Sequence, residues 1–375
     1  FAASSVGVSV DVSLLSNIET LTGSANTDTL VGTSGDDVFD VTAANAGTIN
    51  TNTAFTSFEN LTGAGGDDSF LFGAAGSLIS GNVDGQSGTD TLSYDEFGSA
   101  VNVELTASGS DGFGGTGTAL GGFSNIDALT GNAGSTDSVT ALDVASTWTV
   151  AGTPTLTTGT YSVGASAPTL ILSSFESLVG AATAADDFSV TGTPTATLDG
   201  RGGDDEFEFA TGAVLDGSVT GGLGNDTLNF ANSATVITVS LTGLGTGGVG
   251  FDGITNSVMT GSFTSIDTVI GGSGDDTLAG LANAAGTWAV DTTSVYVSTN
   301  TLDFSGIDNL TGSDQADTFN VNVSATVDIV AGDGADQFTV AGGAVISGTL
   351  DGGAGIDDFD FNGVITLPTL DGGTE

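Results

Sequence analysis

The 375-residue chain has no lysine, no histidine and no cysteine, and it sets a single arginine, Arg201, against 46 acidic residues. Each absence closes a class of function. Nucleic acid needs lysine and arginine against phosphate, which one arginine cannot supply. An anionic membrane surface repels so acidic a chain. Without histidine or cysteine there is no Ser-His or Cys-His nucleophile and no ordinary zinc site. No apolar run approaches the length of a membrane-spanning helix, and no segment has a helical period. The formal net charge of −45 opposes any compact state unless it is neutralised. With no bases available, the counter-charge has to come from outside, as metal cations or high salt.

What is present is glycine, 61 residues of it, with 38% hydrophobic residues, enough to bury a core. The glycines belong to a repeated phrase. It reads GTSGDDVF at 32–39, GAGGDDSF at 63–70, GQSGTDTL at 85–92, GRGGDDEF at 200–207, GGLGNDTL at 221–228, GGSGDDTL at 271–278, AGDGADQF at 331–338 and GGAGIDDF at 352–359. Looser copies, GSANTDTL, AATAADDF and GSDQADTF, begin at 23, 181 and 312, and GNAGSTDSV at 131–139 carries one extra residue. Asp186, Asp205 and Asp226 are 19 and 21 apart, as are Asp317, Asp336 and Asp357, and Asp68 and Asp90 are 22 apart. A period near 20 is one coil of a β-solenoid.

A second phrase interleaves with the first: LSNIETLTG (15–23), FTSFENLTG (55–63), FSNIDALTG (123–131), LSSFESLVG (172–180), FTSIDTVIG (263–271) and FSGIDNLTG (304–312). Its acid lies nine or ten residues before the next motif aspartate. That is half a coil, so the acid-x-apolar unit sits on both edges of a flattened coil. Trp148 and Trp288 are 140 apart, and Phe39 fills the same slot earlier. The interval from Glu59 to Asp127 is 68 residues and from Glu176 to Asp267 is 91, a difference of about one coil. Whole coils are gained or lost cheaply only where each touches its neighbours alone.

Between motifs, AVNVEL (100–105), TWTVAG (147–152) and TVITVSL (235–241) alternate as strands with one face inward. The expected fold is all-β, a parallel β-solenoid with coils of about 18–22 residues and Gly/Asp-rich turns. The expected organisation is one continuous segment, 1–375, with super-repeats at roughly 15–122, 123–262 and 263–375. LDGGTE (370–375) opens the phrase seen at 350–359 and breaks off, so the chain reads as part of a longer repetitive protein.

Glycine permits the sharp turn, and sharp turns aim backbone carbonyls at one place. An aspartate at the end of the turn adds charged oxygens, and two stacked turns enclose a gap suited to a hard cation with oxygen ligands. The apolar residue two places on plugs the core. Asp after Gly is also an ordinary turn residue that accepts backbone N–H bonds.

GGLGNDTLN (221–229) and GGSGDDTLA (271–279) resemble the RTX calcium-binding nonapeptide, G-G-x-G-x-D-x-apolar-x. That family forms a parallel β-roll in exported bacterial proteins, with Ca²⁺ held between stacked turns. The resemblance implies carboxylate ligands at Asp37, Asp68, Asp90, Asp205, Asp226, Asp276, Asp336 and Asp357. It implies weaker ones at Asp28, Asp186 and Asp317, where glycines are missing, and the insertion sets Asp137 apart. RTX arrays are unbroken nonapeptides, whereas here only Asp28 and Asp37 are nine apart. The whole pattern is also similar to the giant β-strand-repeat surface proteins and adhesins of bacteria. The implied function is structural, not enzymatic: a calcium-binding segment of an extracellular surface fibre, adhesin or matrix filament that associates with itself. The alternative is a glycan-binding or polysaccharide-degrading extracellular β-helix protein. A flat ice-binding face is a further candidate.

Overall fold

The computed structural model describes residues 7–73, 75–153, 155–164, 168–361 and 369–371. The end of the 370–375 phrase therefore lies outside the described residues. The chain divides into two compact units, residues 1–184 and 185–375. Both are all-β solenoids with long parallel sheets. Among the described residues the only helical segments are two single 3₁₀ turns, Val12–Leu14 and Thr246–Gly248, and no helix is long and apolar enough to cross a membrane.

Each unit stacks its strands in two sheets. In the first unit one sheet runs Ser9–Asp11, Thr29–Val31, Asn60–Gly65, Ile79–Ser87 and Leu120–Ile126, all parallel. The other runs Val38–Ala43, Ser69–Phe72, Thr91–Ser93, Ala128–Thr130 and Thr169–Ser173. In the second unit the first sheet includes Thr238–Leu244, Thr277–Ala279, Asn309–Thr311, Asp328–Val330, Thr349–Asp351 and Thr369–Asp371. The second includes Asp186–Gly192, Glu206–Phe209, Thr227–Asn229, Thr268–Ile270 and Thr301–Ser305.

Register follows the motif. The apolar residue two places after the aspartate lands on its counterpart in the next coil: Phe39 on Phe70, Leu92 on Leu129, Phe188 on Phe207, Phe207 on Leu228. The strands alternate because one face is buried and the other is not. The inward rings stack: Phe39 on Phe70 at 5.0 Å, Phe188 on Phe207 at 5.1 Å, and Trp288, Phe319, Phe338 and Phe359 in one column at 5.7, 5.1 and 4.4 Å. Each such side chain is worth about 1.5–3 kcal/mol in burial. The two sheets meet in the core at Phe113 and Tyr161 in one unit and at Phe251 and Tyr296 in the other. Trp148 and Trp288 are fully buried, as core residues of a 140-residue period should be.

The strands are not all parallel. Five three-stranded antiparallel meanders interrupt the coils among the described residues. In the first unit they are Val38–Ala43/Ala46–Ile49/Thr53–Thr56, Asn102–Gly109/Gly112–Gly117/Leu120–Ile126 and Ser146–Thr153/Thr155–Ser162/Thr169–Ser173. In the second they are Thr238–Leu244/Phe251–Thr255/Ser262–Ile266 and Thr287–Val290/Ser294–Val297/Thr301–Ser305. Along the chain they fall alternately in the second and the first sheet. Phe39, Trp148 and Trp288 each lie on the opening strand of a second-sheet meander, which is the origin of their shared slot.

In five of its six copies the interleaved sequence phrase is the exit from a meander; the first copy, at 15–23, leads into Thr20–Thr22 ahead of the first meander. The residue two places before the acid is left-handed in all six copies: Asn17, Ser57, Asn125, Ser174, Ser265 and Gly306 have φ between 55° and 63°. Small or Asx/Ser side chains at this point tolerate that conformation.

Candidate functional site

The repeated aspartates are buried inside the turns. Asp28, Asp37, Asp68, Asp90, Asp137, Asp186, Asp205, Asp226, Asp276, Asp317 and Asp336 are each at most 2% exposed, and Asp357 is half-buried. They form ladders along the stacking direction. The backbone N–H of each donates to the carboxylate of the acid one coil on. One run is Asp37, Asp68, Asp90 and Asp127, with bonds of 2.8, 2.9 and 2.9 Å. The next is Asp186, Asp205, Asp226 and Asp267, at 2.8, 3.0 and 3.2 Å. The third is Asp317, Asp336 and Asp357, at 2.7 and 3.1 Å. Three shorter ladders join Asp28 to Glu59, Asp137 to Glu176 and Asp276 to Asp308, each at 2.9 Å.

Meander-exit acids therefore close five of the six ladders, a role that spacing alone did not give them. A signal was available in the left-handed small residue two places ahead, which marks where the chain re-enters the coil.

The remaining carboxylate oxygens divide the turns into two kinds. In the capped kind the aspartate also accepts the amide four residues back. Thr33 donates to Asp37 at 2.5 Å, Gly272 to Asp276 at 2.7 Å, Ser313 to Asp317 at 2.7 Å, and Ser24 to Asp28. The other oxygen takes a donor from the preceding coil, Val8 on Asp28, Ile237 on Asp276 and Gly286 on Asp317; on Asp37 it takes the side-chain amide of Asn50, from the meander that follows. Asp137 is capped one residue further back, by Asn132, because of its insertion. These carboxylates have N–H donors on both oxygens. The Val8 N–H holds the Asp28 carboxyl below its ordinary range, whereas burial pushes Asp137 up despite its two amide donors.

In the open kind the chain takes φ > 0 both four and two residues before the aspartate: Ala64 and Gly66, Gln86 and Gly88, Arg201 and Gly203, Gly222 and Gly224, Gly332 and Gly334, Gly353 and Gly355. The amide that caps the other turns is rotated away. Oδ2 of Asp68, Asp90, Asp205, Asp226 and Asp336 is then buried with no hydrogen-bond partner. For Asp68, Asp90, Asp205 and Asp226 it lies against the glycine five residues back; a Cβ on Gly63 or Gly200 would come within 2.0 or 2.1 Å of it.

Open turns stack as adjacent pairs, Asp68 with Asp90, Asp205 with Asp226 and Asp336 with Asp357, in parallel register through Ala64↔Gln86, Arg201↔Gly222 and Gly334↔Gly355. Burial raises Asp68 to about 7, Asp90 to about 6, Asp205 to about 8 and Asp226 to about 6, with neighbouring carboxylates adding to the rise. Asp336 rises for the same reasons.

A buried anion with an oxygen left unpartnered is costly unless a cation or a proton completes it. Among the described residues no three acidic side chains gather at one point. A cation at an open pair would therefore take much of its coordination from turn carbonyls, as Ca²⁺ does more readily than smaller, stricter ions. Of the residues that the nonapeptide resemblance implies, Asp68, Asp90, Asp205, Asp226, Asp336 and Asp357 fall in open turns. Asp28, Asp37, Asp276 and Asp317 fall in capped ones. Asp186 heads the middle run. No protein-family model and no curated protein matches the chain.

Proposed function

We propose that the chain is a structural calcium-binding segment of an extracellular bacterial surface fibre, adhesin or matrix filament. The cations belong at the three open-turn pairs, one in each super-repeat. The observation that carries this reading is the set of five buried, unpartnered Oδ2 atoms in a chain of net charge −45 that has one base.

Asp68, Asp90, Asp205, Asp226, Asp336 and Asp357 would hold the ions, and the ion would supply the positive charge the sequence lacks. The glycines keep Oδ2 within the turn, the ladder amides fix Oδ1, and the stacked aromatic residues hold successive turns in register. A ligand that binds only the folded coil stabilises it by mass action, about 4 kcal/mol at a thousand times Kd.

Calcium titration by calorimetry, with thermal melts in calcium and in excess chelator, tests the reading. Binding accompanied by a clear rise in Tm is expected. Identical melts in both conditions would remove the metal from the proposal.

A further inference from the structure

We propose that Asp84, Asp199 and Asp351 are positioning residues that hold the paired turns open. The inference deepens the calcium reading and rests on it for its consequence, though not for its geometry. Each lies six residues before an open-turn aspartate: Asp90, Asp205 and Asp357 respectively. Each accepts the amide two residues on, from Gln86 at 3.2 Å, Arg201 at 3.1 Å and Gly353 at 3.0 Å. That amide is the one which, in a capped turn, donates to the motif aspartate. The two carboxylates compete for a single donor, and the local side chain wins by closing an Asx turn that leads into a left-handed residue.

The sequence agrees at the capped turns. The corresponding residues before Asp28, Asp37, Asp276 and Asp317 are Thr22, Val31, Ile270 and Thr311, none of them able to accept as a carboxylate. Each open pair contains one such aspartate, and its other member has threonine or valine there. The second turn follows because parallel pairing carries the backbone from one coil to the next, as Ala64 opposite Gln86 and Gly65 opposite Ser87 show. Asp84 is itself held by the Asn125 side-chain amide at 2.7 Å. One aspartate therefore opens two turns, and at the Asp68/Asp90 and Asp205/Asp226 pairs it frees the Oδ2 of both.

The test uses the full chain with Asp84→Ala and Asp84→Asn, and the same two changes at Asp199 in the other unit should either Asp84 variant fail to fold. Asparagine keeps the acceptor for the amide but not the charge. In the metal-free protein, NMR should show residue 86 leaving the left-handed region in Asp84→Ala and keeping it in Asp84→Asn. Calorimetry should show one calcium fewer per chain for Asp84→Ala and the wild-type number for Asp84→Asn. Residue 86 remaining left-handed in Asp84→Ala overturns the proposal whether or not calcium binds. So does Asp84→Asn losing the site as Asp84→Ala does, which would make the carboxylate a ligand. A wild-type chain that binds no calcium, together with the expected change at residue 86, supports the positioning role while overturning the calcium reading.

Discussion

The turns that end in Asp226 and Asp276 are nearly the same in sequence, GGLGND and GGSGDD, and differ in structure. Gly222 and Gly224 are left-handed, and the Asp226 Oδ2 has no partner. Gly272 is not left-handed, and its amide caps Asp276 at 2.7 Å. One phrase thus encodes two devices: a self-satisfied structural cap and a turn with an oxygen held in reserve. The glycines permit both, so they do not choose. The choice lies with the competing acceptor upstream and with the turn stacked alongside.

The sharpest way to break this comparison is at the glycine two residues before the aspartate. Gly88→Ala should destabilise the protein by about 3 kcal/mol or more, because φ is +143° and the new Cβ would lie 1.8 Å from the Gly66 carbonyl oxygen. The equivalent change in a capped turn, Gly35→Ala, meets nothing closer than 3.9 Å and needs no left-handed backbone. It should stay within about 0.5 kcal/mol. Urea unfolding of the two variants measures the contrast, and equal losses would dissolve the distinction between turn types.

A smaller contrast comes from the aspartates themselves. Asp276→Ala strips the acceptor from the amides of Ile237 and Gly272, and should cost about 2–3 kcal/mol with or without calcium. Asp205→Ala removes one ladder acceptor together with a strained anion. It should cost less than Asp276→Ala in chelator and more in calcium, read from melts in both media.

The smallest effect is on pH. Asp68 and Asp205 titrate near 7 and 8 in the folded chain and near 3.9 when unfolded. Between those values the folded state binds more protons, so metal-free stability falls as pH rises from about 4 to 8. Melts in chelator should drop by several degrees across that window, and Asp205→Asn should flatten part of the slope. A rise in Tm with pH in chelator would contradict the open-turn assignment.

Much of the fold was legible in the residues. The 19–22 spacing, the acid-x-apolar unit on both edges and the whole-coil difference between super-repeats all correspond to stacked strands in register. The extra coil is visible as a run of three, at Asp186, Asp205 and Asp226, where the preceding super-repeat has two, at Asp68 and Asp90. The meanders were not legible, because an antiparallel strand with one buried face alternates just as a parallel one does. AVNVEL, TWTVAG and TVITVSL lead into or begin antiparallel strands for that reason. The difference between capped and open turns was not legible either, since it depends on which acceptor takes one amide, and the nonapeptide pattern stops short of the upstream aspartate.

The ladders also have a direction. From Asp28 to Asp336, each motif aspartate offers its N–H forward, to an acid roughly 20 to 40 residues later in the chain, so within a ladder no corner is complete until the next coil has wound on. A chain emerging amino end first would carry one unfinished corner at its growing tip and pass it along. The ladders are thus polar, and a cut through one exposes a donor in want of an acceptor on one side and a carboxylate in want of a donor on the other.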